Sequence, residues 1–182
     1  MHGSLTALAL MAFLVAGPTA GSVSAQPAPE AVKAAFVFNV LNFVEWPTQG
    51  TSTAPLRVAV IAPQPLSAFA AALKGKAVRG RTIAVQTYDN IDAVEQAEVV
   101  FVSAEASAQL KSLLKKVEGR PVLSISEQSL SAPVDSTVAL GIVDARLAFA
   151  VNLDVADASG LQFSPNLLKL AKSVKSARAK TR

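Results

Sequence analysis

From Val32 to Pro47 the chain is apolar at almost every position. A segment apolar nearly all round a helical wheel predicts a buried helix, over about 30–46, rather than a surface one. One narrow polar stripe interrupts it. Asn39, Asn42 and Trp46 are spaced three and four apart and so fall on one face. Pro47 then ends the helix, because a residue that precedes proline disfavours the helical region.

Downstream, the period of the pattern changes repeatedly. Thr48 to Ala54 reads as a polar loop. Leu56 to Ala62 is a β-branched apolar run that predicts a buried strand. Pro65 opens a helix to about Leu73, since proline suits the first helical position. Lys74 to Arg81 is a basic, glycine-containing loop. Thr82 to Tyr88 alternates as a strand with Ile83, Val85 and Thr87 on one side, and Ile91 to Gln96 has room for one helical turn. Glu98 to Val102 is a short buried strand.

Ser103 stands as N-cap to a helix over 104–117, with Leu110, Leu113, Leu114 and Val117 on its inner face and Gly119 as its stop. Pro121 to Ile125 is a fourth strand. Such alternation predicts right-handed crossovers and a parallel sheet covered on both faces. After Pro133 the pattern becomes two strands, Thr137 to Ile142 and Arg146 to Leu153, joined by a tight turn at Val143-Asp144 as an antiparallel hairpin. Gly160 closes a short helix. Ser164-Pro165 starts a last helix to about Val174, with Leu167, Leu168, Ala171 and Val174 facing inward. The fold class is α/β: a single domain whose mixed sheet of about six strands, mostly parallel with a C-terminal antiparallel hairpin, is flanked by about five helices.

Composition changes the picture at the two ends. Leu5 to Ala16 is an apolar run of signal-peptide length, too short to span a bilayer, followed by Gly17-Pro18 and the small residues Val23-Ser24-Ala25. Residues 1–25 are thus expected to be a cleaved leader, with the exported domain over 26–182; a retained anchor is the rival reading. With no lipobox-type Cys, the exported protein is expected to be soluble. The chain has no Cys, and its single His, His2, lies in the leader. That sets aside disulfides, Ser-His-Asp and Cys-His catalysis and most zinc chemistry.

The formal charge of +4 is unevenly placed. Lys169, Lys172, Lys175, Arg178, Lys180 and Arg182 follow the last acid, Asp157, and the remaining 11 basic and 13 acidic residues leave −2. The basic tail, 173–182, is either a solvated helix end or a contact for an anionic membrane surface or acidic partner. Nucleic acid is not expected, since no aromatics interleave the basic residues.

Candidate chemistry is sparse. Asn39, Asn42 and Trp46 either satisfy neighbouring backbone and fill the core, or form a partner or ligand face. Asn152, in FAVNLD, either satisfies backbone at a strand end or joins such a face. A parallel sheet binds ligands beyond its carboxyl edge, which here carries Pro63, Gln64, Ser103, Glu105, Ser126 and Glu127. The segment Gly75 to Thr82 imitates a P-loop in spacing, but Arg81 stands where Lys is required, and a strand follows it rather than a helix. Lys74, Lys76, Arg79 and Arg81 therefore read as a basic turn and an electrostatic contact for an acidic partner. Glu105, Glu118 and Glu127 are scattered, and nothing pairs two carboxylates for acid-base work. No catalytic residue, cofactor or metal site is expected.

Two segments together resemble the YfiR family of exported bacterial regulatory proteins. The first is Val32, Lys33, Ala34, Ala35, Phe36, then Asn39, Phe43, Trp46 and Pro47. The second is Arg146, Phe149, Asn152, Leu153, Gly160, Leu161, Ser164, Leu167, Leu168, Leu170 and Ala171. The chain departs from the family in lacking cysteines, in Val40 where an aromatic is usual, and in Ala150 where an acid is common. The resemblance implies a periplasmic, non-catalytic regulator. Its partner would be the periplasmic domain of an inner-membrane diguanylate cyclase, with cyclic-di-GMP output held low and biofilm formation with it. An outer-membrane lipoprotein and a second copy of the chain are the further partners implied. The alternative reading is a periplasmic sensor domain for a small ligand.

Overall fold

The computed structural model describes residues 27–47, 52–94 and 96–177. The leader expected over 1–25, most of the polar loop after Pro47 and the end of the basic tail lie outside them. Helix α1 (Pro29–Asn42) leads into β1 (Val44–Glu45), β2 (Leu56–Ile61), α2 (Ser67–Leu73), β3 (Ala77–Val78) and β4 (Arg81–Tyr88). Then come β5 (Val99–Val102), α3 (Leu110–Val117), β6 (Leu123–Glu127), β7 (Val138–Val143) and β8 (Arg146–Asn152). The chain continues through α4 (Leu153–Ala158), β9 (Gln162–Phe163), α5 (Pro165–Leu168) and β10 (Ser173–Lys175).

Eight strands form one sheet in the order β10-β8-β7-β6-β5-β2-β4-β3, and β1 pairs with β9 as a separate ribbon. Pairing is parallel from β4 through β2, β5 and β6 to β7, antiparallel for β7–β8 and β3–β4, and parallel again for β10–β8. The mixed α/β class and the C-terminal hairpin are as expected. The two added strands of the main sheet are β3, inside the basic loop, and β10, inside the expected last helix.

The pleat sorts the core. Val58, Val60, Phe101, Leu123, Ile125 and Leu140 point to the side of α1 and α2, where Leu41, Phe69 and Leu73 are fully buried. Ala59, Ile61, Val100 and Val102 point the other way, against Leu113 and Val117 of α3. β2 and β5, buried on both faces, read as nearly unbroken apolar runs, as a covered parallel sheet requires, whereas β6 buries Ser124 and Ser126 on one face. Over β7 and β8 the second face is closed by the segment 128–137 instead of a helix, with Val134 against Ala139 and Ala150. That segment lies so close that a Cβ at Gly141 would stand 2.5 Å from the Gln128 carbonyl oxygen.

Several element boundaries differ from expectation, each for a local reason. Helix α1 stops at Asn42, not 46. Val44 and Glu45 pair with Phe163 and Gln162, and Ser164 donates its backbone N–H to the Phe43 carbonyl at 2.9 Å. The long-range ribbon takes the last turn of the predicted helix. Nor is α1 buried all round: Val32 is 43% exposed, Asn39 and Asn42 are exposed, and Phe36, Phe38 and Phe43 are half-buried. Helix α2 begins at Ser67, so Pro65 precedes it rather than opening it. The helix expected over 104–117 splits into a 3-10 stretch over Ala104–Gln109 and α3.

Helix α5 ends at Leu168 instead of Val174. Lys172 donates its N–H to Phe149 at 2.8 Å, and the chain becomes β10 along β8. The apolar residues that suggested an inward helical face are divided: Leu167 is buried, while Val174 is 41% exposed.

Of the helix ends read from sequence, Gly160 and Ser164-Pro165 hold, whereas Ser103 makes no side-chain cap. Asn152 accepts from the Asp154 and Val155 amides at the start of α4. Gly160, at φ +67°, closes α4 while Leu161 N–H reaches the Ala156 carbonyl at 2.9 Å, the Schellman arrangement. Ser164 Oγ accepts from the Asn166 amide, with Pro165 at the first position of α5. The turn between β7 and β8 is Asp144-Ala145, both at positive φ (49° and 59°), which is the primed geometry that matches strand twist.

Candidate functional site

The polar stripe expected on α1 is taken apart by the fold. Trp46 leaves the helix and enters the core at 5% exposure, with its Nε1 unpartnered among the described residues. Asn42 turns back on its own helix, donating from Nδ2 to the Phe38 carbonyl at 2.8 Å. Asn39 alone keeps an exposed amide beside a surface depression.

That depression is the most suggestive surface of the molecule. It runs between α1 and the outer strands, with a volume of about 450 Å³. Phe36, Phe43, Leu147, Phe149 and Leu167 line it, while Leu170 and Lys172 are on its C-terminal side. The Phe36 and Phe149 rings meet at 5.2 Å across its floor. Leu170 is 72% exposed. A groove of this length holding several half-exposed aromatics and leucines costs solvation free energy in the isolated chain, and such patches mark interaction sites. The sequence hid it because its walls come from segments far apart in the chain. The signals that were present are Leu147 and Phe149 alternating along β8 and Leu170 stranded beyond the short α5.

Asn152 is not part of that face. It is 1% exposed, and Nδ2 donates to the Val134 carbonyl at 2.6 Å while Oδ1 caps α4. Both ends of the amide are committed to tying β8 to the 128–137 segment.

The basic turn is likewise mostly spent internally. Arg81 is buried, not displayed. Its Nη1 and Nη2 each donate to a Glu98 carboxylate oxygen at 2.8 Å, Nε donates to the Ala54 carbonyl at 2.7 Å, and Nη2 reaches the Pro55 carbonyl at 3.1 Å. This fork clamps the start of β4 to the loop before β5 and to the approach to β2. Its partner Glu98 was not singled out from sequence; the only signal was a lone acid opening an apolar strand. Arg79 pairs in the open with Glu45 at 3.2 Å, and Lys76 Nζ lies 4.6 Å above the Phe38 ring. Arg79 and Gly80 both have positive φ (50° and 80°) and form the two-residue turn of the β3–β4 hairpin. Lys74 stands exposed beside it. The P-loop imitation is thus a β-hairpin, with no helix after it.

At the carboxyl edge of the sheet the strand order places β2 between β4 and β5, so the topological switch point lies between β2 and β5. Ser103 sits there, its N–H donated to the Ile61 carbonyl at 3.0 Å. Its hydroxyl does not cap the helix that follows; it is buried with no hydrogen bond of good geometry. Glu105, exposed at the start of that helix, is held below the usual carboxylate range, first by its own backbone amide, then by the nearby Ser103 hydroxyl and, at longer range, Lys33. Gln64 is exposed.

Ser126 is withdrawn from this edge. Ser136 donates to the Val138 carbonyl at 2.8 Å, which leaves Ser126 to donate to Ser136 (2.7 Å) or to Gln128 Oε1 (2.9 Å). These hydroxyls, with Ser124 and Thr137 at 2.9 Å, fasten β6 to the 128–137 segment. The open space at this edge lies over β6 and β7: about 310 Å³ lined by Lys33, Glu127, Gln128, Gly141 and Ile142. Lys33 bridges to Glu127 at 2.6 Å across it, a pairing between α1 and β6 that spacing could not reveal. No helix among the described residues is long and apolar enough to cross a membrane.

The family model described as YfiR/HmsC-like matches residues 30–172. Among solved structures, a conserved domain protein from Vibrio cholerae O1 biovar El Tor strain N16961 is 13% identical with a TM-score of 0.49. The match covers 81% of this chain and 60% of that one, so the chain spans less than two thirds of that structure's length.

Proposed function

This chain belongs to the YfiR/HmsC-like family, and from that premise we propose that it is a non-catalytic periplasmic regulator that lowers cyclic-di-GMP signalling. It does so by contacting the periplasmic domain of an inner-membrane diguanylate cyclase. The observation that carries the reading is the apolar groove between α1 and β8, built by the two segments that carry the family resemblance. Asn39 on its wall supplies a hydrogen-bonding amide beside apolar anchors, the composition of a protein-binding centre.

Regulation by such contact is a population shift. The regulator must bind the inactive conformer of the cyclase more tightly than the active one; equal affinity for both would change nothing. Deleting the gene is expected to raise cellular cyclic-di-GMP and biofilm. Complementation by the wild-type gene reverses this. Complementation by Asn39→Arg, which places a cation on an exposed position of the groove wall, does not, although the variant folds. Unchanged nucleotide levels on deletion would overturn the reading.

A second reading rests on a different observation. The edge cavity over β6 and β7, crossed by the Lys33–Glu127 pair, suits a small polar ligand. Stabilisation of the purified protein by an envelope metabolite in a thermal-shift screen, lost in Glu127→Gln, supports it.

A further inference from the structure

We propose that β10 and the residues flanking it form a docking surface for an anionic phospholipid bilayer. The strand is the outermost of the main sheet and is exposed along its whole length. Lys169, Lys172 and Lys175 project from this edge, and none makes an ion pair or side-chain hydrogen bond among the described residues. Between them stand Leu170, 72% exposed, and Val174, 41% exposed. Among the described residues four positions are exposed large hydrophobics, and these are two of them.

The charge pattern selects the partner. No acid follows Asp157 in the chain, and Arg178, Lys180 and Arg182 extend the same run. The described chain is held at its end by the Ala177 amide, which donates to Asp154 Oδ1 at 2.7 Å. The rest of the protein is net acidic, with 11 basic and 13 acidic residues. Lysines and exposed apolar side chains brought together along one sheet edge match an interface where headgroup phosphates lie above acyl chains. An edge protected only against strand pairing needs the lysines, but has no use for an exposed valine.

This inference rests on the preceding reading in placing the chain outside the cytoplasm, next to a bilayer, and it shares Leu170 and Lys172 with the groove of that reading. It is tested on the full exported chain, with removal of the leader checked by mass. Binding is measured by co-sedimentation with vesicles of phosphatidylcholine containing about 30% phosphatidylglycerol, against pure phosphatidylcholine. The expected result is binding to the anionic vesicles alone, lost between about 0.05 M and about 0.5 M salt. The triple variant Lys169→Ser, Lys172→Ser, Lys175→Ser is expected to bind about a hundred-fold more weakly, about five-fold for each cation removed. Leu170→Ser is expected to lose about ten-fold. Asn39→Arg retains vesicle binding whatever it does to the cyclase, so the two readings fail separately. Equal binding to neutral vesicles, no sedimentation with anionic ones, or binding to polyglutamate but not to vesicles would each overturn the proposal; the last would assign the edge to an acidic protein.

Discussion

The β3–β4 hairpin and the β10 edge carry similar runs of cations, Lys74 to Arg81 and Lys169 to Lys175, and in the sequence they look alike. The fold treats them in opposite ways. In the hairpin, Arg81 is buried in a two-point contact with Glu98, Arg79 meets Glu45, and Lys76 lies over Phe38. At β10 the ammonium groups face water beside exposed apolar side chains. The difference lies in where the acids are. Glu45 and Glu98 come from distant parts of the chain and arrive at the hairpin through pairing of β1 with β9 and β5 with β2. At β10 the acid that arrives, Asp154, accepts the Ala177 backbone amide and forms no ion pair with Lys169, Lys172 or Lys175 among the described residues. A basic run is thus a binding surface or a structural clamp according to what the topology sets against it, not according to its own charge.

The comparison can be broken most sharply at Arg81. Arg81→Ala leaves Glu98 and the Ala54 and Pro55 carbonyls without their partner. It is expected to cost about 3 kcal/mol, the lower end for a buried pair because Glu98 is 26% exposed. Urea unfolding measures it, and a cost near zero would mean the hairpin is no clamp. Gly80→Ala comes next, at about 1 kcal/mol. A Cβ there touches nothing within 4 Å, so the loss is purely that of holding φ +80° with a side chain.

Arg79→Ala is expected to cost less than about 0.5 kcal/mol, since both members of its pair are well exposed. The triple serine variant at Lys169, Lys172 and Lys175 is expected to leave the thermal midpoint unchanged while abolishing vesicle binding. A fall in stability there would make β10 a second clamp.

Glu105 gives the smallest effect and a sign check on local charge. Its folded pKa lies below the usual 4.5, so its contribution is complete above that pH and is lost as pH falls through the lower folded value. Glu105→Gln should therefore narrow the stability difference between pH 7 and acid only slightly, in a pH-dependent denaturation series.

The legible parts of this molecule are those whose cause is local. The central strands β2 and β5 announce themselves because both their faces are buried, which forces nearly continuous apolar runs. Gly160 and Ser164-Pro165 announce helix ends because a cap is made within three or four residues. The hairpin of β7 and β8 follows from two alternating runs and a tight turn.

The illegible parts depend on a partner distant in sequence. Trp46 leaves its helix because β9 claims Val44 and Glu45. The last helix gives way to β10 because β8 offers an open edge, and hydrogen bonds to a strand outweigh a helical pattern that buries only Leu167 well. The candidate groove was half visible for the same reason. Asn39 could be marked as polar on an apolar helix, but Phe149, Leu167 and Leu170 become its neighbours only when β8 and α5 pack beside α1.

By itself, then, the sequence determined the mixed α/β class, the buried strands, the caps and the family pattern, since side-chain periodicity and capping act over one or two turns. Only the tertiary structure decided which polar residues remain available. A side chain's hydrogen-bond capacity can be spent once, and whether Arg81, Asn152 or Ser126 spends it internally depends on carbonyls and carboxylates that topology brings from elsewhere. The same accounting left Asn39 and the β10 lysines facing outward, where recognition can use them.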